Sequence, residues 1–112
     1  MRNLQHLNKQ IVAIKGTLAV ITARELSRSE FFAIQDKRNF KCNCFCLENV
    51  TVDGQTFDHI WVKYFKDELG VDNLSKYMGK VLDIDARCFM YTRRDGSADY
   101  SFKEAYIIDV ID

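Results

Sequence analysis

Five stretches of the chain alternate apolar with polar residues and are rich in β-branched and aromatic side chains, the pattern of strands that turn one face to a core. They cover roughly 10–22 (QIVAIKGTLAVIT), 40–52, 55–64, 80–93 and 100–111. Gly16 interrupts the first stretch, and a glycine inside a strand predicts a bulge or sharp bend in a curved sheet. The polar connection ARELSRSEFFAIQDKRN predicts a helical turn around 29–34. After the third strand, KDELGVDNLSKYMG carries Leu74 and Tyr77 at helical spacing, a cap at Asp72 or Asn73, and Gly79 as a stop, so one short helix is expected. RDGSAD reads as the turn between the last two strands. Three strands, a short helix and two strands place the chain in the all-β class, as a single domain over residues 1–112.

At 112 residues, 47% of them hydrophobic and fourteen aromatic, the chain can bury one core without disulfide staples and is too short for two. No apolar run reaches the length of a bilayer span, and MRNLQHLNKQ lacks the charged-then-apolar order of a signal peptide. A cytoplasmic location is expected, with the four cysteines as free thiols. Sixteen basic and sixteen acidic residues cancel, but residues 1–47 carry eight basic and three acidic groups, against eight and thirteen in 48–112. That polarity permits a local basic surface while excluding indiscriminate binding of polyanions driven by net charge. Mixed charges also serve simply to keep a small domain dispersed.

The stretch FKCNCFCLENV places Cys42, Cys44 and Cys46 at alternate positions, and their direction depends on the following turn, Val52-Asp53-Gly54-Gln55. A two-residue Asp-Gly turn pairs Val52 with Gln55 and puts Cys44 and Cys46 on the face of Lys63 and Trp61. A three-residue turn pairs Thr51 with Gln55 and sets the three cysteines opposite Tyr64, Val62 and Ile60. A one-residue slip reverses every side chain, and the second alignment groups apolar with apolar, so it is the one expected. The thiols then fill space inside the barrel as small hydrophobes. Metal binding is the weaker reading, because alternate strand residues sit about 7 Å apart whereas zinc sites converge their ligands from Cys-x-x-Cys turns. Redox chemistry lacks a Cys-x-x-Cys motif altogether.

With sulphur inward, Lys41, Asn43, Phe45 and Leu47 face out on the second strand, opposite Lys63, Trp61 and His59 on the third. On the fourth, Leu82, Ile84, Ala86, Cys88 and Met90 form the inward set, leaving Asp83, Asp85, Arg87, Phe89, Tyr91 and Arg93 outside. Rings interleaved with cations and an amide are what a stacking surface for single strands needs, since every base has a π-face and phosphates follow the cations. The competing explanation for each ring is a covering loop, helix or second subunit. His59 taken alone reads as a structural or rim residue.

The strand order and the glycine-broken first strand resemble the oligonucleotide/oligosaccharide-binding (OB) fold, a five-stranded Greek-key barrel. The segment YMGKVLDIDARCFMYTRRDGSADYSFKEAYIIDV is especially similar to its fourth and fifth strands. The resemblance covers roughly residues 10–111 and implies a ligand surface on Asn43, Phe45, His59, Trp61 and Lys63, beside the loop 93–99. Asp83 and Asp85 depart from a typical nucleic-acid binder.

No phosphate-cradling glycine loop, catalytic carboxylate pair or nucleophile motif is present, so a non-enzymatic protein without cofactor is expected. The first expectation is a binder of single-stranded DNA or RNA, with Trp61 and Phe45 stacking on bases and Lys41, Lys63, Arg87 and Arg93 meeting phosphates. Asn43, His59, Phe89 and Tyr91 complete that surface. The alternative is a protein-interaction module or homodimer, of the inhibitor or assembly-factor kind that small phage and mobile-element proteins provide.

Overall fold

The structure, a computed structural model, describes residues 2–22, 26–35 and 43–111, with side chains from Leu4 onward. Lys41 and Cys42 therefore lie outside the described residues. The strands are β1 (Ile11–Ile21), β2 (Cys44–Val52), β3 (Gln55–Lys63), β4 (Val81–Thr92) and β5 (Ala98–Ile111). They close into a barrel in the order β1-β2-β3-β5-β4, with β4 returning to β1. All neighbours are antiparallel except β3 and β5, which meet in parallel at Val62 and Phe102. The five strands and the all-β class are those expected from the alternation pattern, and the closed barrel is the architecture that the resemblance to the OB fold implied.

Local chemistry sets the connections. Ser27 caps α1 (Arg28–Ala33) by accepting the backbone N–H of Glu30 at 3.2 Å, which satisfies one of the free donors at a helix start. Between β3 and β4, two 3-10 turns, Lys66–Glu68 and Leu74–Tyr77, stand where one short helix was expected. Asn73 is the cap of the second, accepting from the Ser75 N–H at 3.1 Å. Leu69 and Leu74 on this connection are buried in the core, as are Leu4 and Leu7 of an N-terminal 3-10 turn, Arg2–Leu7.

Bulges give the sheet its curvature and reset which side chains face in. The β1–β2 register shifts between Lys15 and Thr17, opposite Asn49, whose φ is +52°. Gly16 lies at that crossing, where an added Cβ would come within 3.0 Å of Leu47 Cβ and of Val50 Cγ2. The close approach is what the glycine permits. In β5, the register shift between Asp85 and Arg87 changes the buried set from Tyr100 and Phe102 to Ala105 and Ile107, and a second shift lies beyond Ile107.

The hairpin takes the alignment that hydrophobic matching disfavoured. Val52 pairs with Gln55 across a two-residue turn, and Phe45 faces Val62, Cys46 faces Trp61 and Cys44 faces Lys63. Asp53 (φ +49°) and Gly54 (φ +77°) are both left-handed, the conformation whose twist matches antiparallel strands. An inward change of phase makes this register apolar inside. Val50 and Val52 are buried near the turn; beyond Glu48 and Asn49, both exposed, Leu47 and Phe45 are buried instead. β3 changes phase at the same level, with Asp58 and His59 both exposed before buried Ile60 and Val62.

Candidate nucleic-acid interface

Three of the outward assignments are corrected, Phe45 and Leu47 of β2 by this change of phase and Asn43 just before the strand. Phe45 and Leu47 are fully buried core residues, and Phe45 packs against Tyr64 with ring centroids 5.3 Å apart. Asn43 is buried too, its side-chain N–H donating to the Leu26 carbonyl at 3.1 Å. None of the three offers a surface to a ligand. The cysteine assignment is corrected in part. Cys46, buried as expected, and half-buried Cys44 are cross-strand partners of Trp61 and Lys63 rather than of Ile60 and Val62, whereas Cys88 lines the interior. Burial pushes the Cys46 thiol up, with the nearby Glu48 charge adding to it, and burial alone pushes up Cys88. Both are poor nucleophiles at neutral pH. Among the described residues no group of three or more His, Cys, Asp or Glu side chains is arranged to hold a metal ion.

Trp61 does face out, 40% exposed. The parallel contact of Val62 with Phe102 lays β5 alongside β3, and β5 in turn pairs Ser101 with Phe89 and Lys103 with Arg87 of β4. The Ser101 hydroxyl reaches toward the Trp61 carbonyl at 3.4 Å. Trp61, Lys63, Ser101, Lys103, Phe89 and Tyr91 thus share one outer surface across three strands. His59 continues the β3 row beyond Trp61 and stands opposite Glu48, at the acidic margin.

Phe89 has a different part from the one expected. The Lys63 ammonium lies 5.5 Å and the Lys103 ammonium 5.0 Å from its ring centroid, within cation–π range. The ring holds two cations in place rather than offering an empty face. No described carboxylate is within ion-pair distance of either lysine. The arginines differ. Arg87 donates to Glu104 at 2.6 Å and to the Lys9 carbonyl at 2.6 Å, and its hydrogen bond holds the Glu104 carboxyl below the usual range. Arg93 is bound to Asp99, which also accepts from the Tyr91 hydroxyl at 3.2 Å. Burial works to raise the Asp99 carboxyl, but the bonds from Arg93 and from the Tyr100 N–H outweigh it and hold the group far below the carboxylate range. Met90, expected inside, is exposed where β4 runs past the barrel toward its turn.

Comparison of the chain with protein-family models, with curated proteins and with solved structures gives no match.

Of the ten sequence-derived site residues, the geometry gathers Trp61, Lys63, Phe89 and Tyr91, leaves Arg87 and Arg93 engaged by carboxylates, and removes Asn43 and Phe45. Ser101 and Lys103 escaped sequence reading. Their signal was present in YSFK, where buried Tyr100 and Phe102 alternate with them. A second concavity lies on the β1–β4–β5 side, about 810 Å³, with exposed Ile11 and Ile108 beside Asp83 and Asp85. Among the described residues no helix is long and apolar enough to cross a membrane.

Proposed function

We propose that the chain is a non-enzymatic domain of the OB type that binds single-stranded nucleic acid through the outer surface of β3, β5 and β4. One observation carries this reading. An exposed indole shares a surface with two lysines that no described carboxylate approaches within ion-pair distance, on a protein whose formal net charge is zero. Trp61 and Tyr91 supply faces for bases, and Lys63 and Lys103 supply charge for phosphates. The closed barrel order, compatible with the OB arrangement, supports the assignment. Titration of a labelled oligonucleotide at two salt concentrations tests it: binding at low salt that weakens as salt rises is expected, and no binding at low salt removes the proposal.

A second reading has an observation of its own. Ile11 and Ile108 are 60% and 57% exposed at the acidic concavity, the kind of apolar patch that protein partners cover. An Ile108→Asp variant that abolishes capture of a protein partner while leaving oligonucleotide binding intact is the result that favours it.

A further inference from the structure

A groove of about 220 Å³ opens where β3 ends, between α1 and β5, and continues the surface that carries Trp61. Its lining combines aromatic and charged side chains. Phe65 is half-buried, with the Arg28 guanidinium 5.3 Å above its ring centroid. Lys63, Lys103, Glu68 and Glu104 line the groove together with Tyr64. The charges divide unequally. Glu68 is bound to Arg28, and Glu104 is bound to Arg87, so each carboxylate already has its own guanidinium. What remains is the pair of ammoniums over Phe89, neither within ion-pair distance of a described carboxylate, although the Lys103 charge helps to lower Glu104, and the two lie within about a Debye length of each other. Two like charges held beside one ring in one groove repel each other, and a bound anion relieves that repulsion.

We propose that this groove seats a phosphate group of the bound strand, so that the strand runs from Trp61 past Lys63 and Lys103 toward α1. The inference rests on the nucleic-acid reading and adds to it the path of the backbone and the part of Lys103. The shared chemistry is a phosphate oxygen set between two ammoniums. A phosphodiester of the same strand and free inorganic phosphate would both satisfy it, and the path requires the former.

The test is fluorescence anisotropy of labelled oligothymidylates over a range of lengths and salt concentrations. It compares the unaltered chain, Lys103→Gln and, as a control, Lys76→Gln, whose lysine lies on the Leu74–Tyr77 turn and lines neither groove. Circular dichroism confirms that each variant is folded. The expected result is that Lys103→Gln reduces the salt slope by about 0.7, the value for one lost single-strand phosphate contact. It should also stop gaining affinity at a shorter length than the unaltered chain, while saturating oligonucleotide still quenches Trp61. If Lys103→Gln behaves as Lys76→Gln does while Trp61 is quenched normally, the path is wrong and the stacking surface stands. If inorganic phosphate displaces the oligonucleotide far better than chloride of equal ionic strength, the groove is a free-phosphate site and the path is wrong again. Absence of any oligonucleotide binding by the unaltered chain overturns both.

Discussion

Val52 faces Gln55 across a turn in which Asp53 and Gly54 are both left-handed, and this pairing decides which side chains of β2 and β3 meet solvent. An added Cβ at Gly54 meets nothing within 4 Å, so Gly54→Ala costs only the strain of the left-handed backbone, about 1–2 kcal/mol. At Gly16, an added Cβ meets Leu47, Val50 and the Glu48 carbonyl. Gly16→Ala therefore costs about 1–3 kcal/mol through overpacking. Urea unfolding of both variants, read by circular dichroism, measures the two losses. Wild-type stability for Gly16→Ala would show that β1 and β2 do not approach at the bulge.

Phe45 and Trp61 separate stability from binding. Phe45→Ala empties a fully buried site and is expected to cost about 3–5 kcal/mol. Trp61→Ala is expected to leave unfolding nearly unchanged and to weaken oligonucleotide binding by about 1–3 kcal/mol, the value of one stacked base. Denaturation paired with a binding titration distinguishes the two, and equal stability losses would mean that the indole belongs to the core.

The contrast between these residues also shows what the sequence could reveal. Strand positions and the all-β class followed from runs of alternating apolar and β-branched residues, and the barrel from the resemblance that their order carried. The inward face of β2 did not, because Asn49 adopts a left-handed conformation that an unbroken period of two cannot anticipate. Counting through it placed Phe45 outside and made the wrong hairpin alignment look better matched. On β4, whose burial alternates without a break from Leu82 to Cys88, the same counting succeeded over that span. On β5 the sequence reading assigned no faces, so Lys103 was missed although YSFK alternates; the strand then bulges at Glu104, φ +54°, and its two halves expose different phases.

Asp99 ties Tyr91 and Arg93 to the start of β5. Its carboxyl is held below its unfolded value of about 3.9, so its stabilisation is complete above that pH and is lost as pH falls toward the folded value. Asp99→Asn should destabilise by about 1–3 kcal/mol at neutral pH, with a penalty that shrinks below about pH 4. Thermal unfolding of both proteins across that range checks the sign, and a penalty independent of pH would remove the ionic part of the account.

Thiol accessibility reports the faces chemically. Cys44 should label before Cys46, and Cys88 only as the barrel unfolds, given its complete burial. Mass-spectrometric mapping after brief exposure to a maleimide gives the order. Rapid labelling of Cys88 in the native protein would place β4 the other way round.

Because Trp61 is the one tryptophan of the chain, its emission reads the proposed surface without interference. Adding unlabelled oligothymidylate at low salt should quench it to saturation, and raising the salt should restore it. Emission that stays constant while the oligonucleotide is present in excess would contradict a base stacked on that indole.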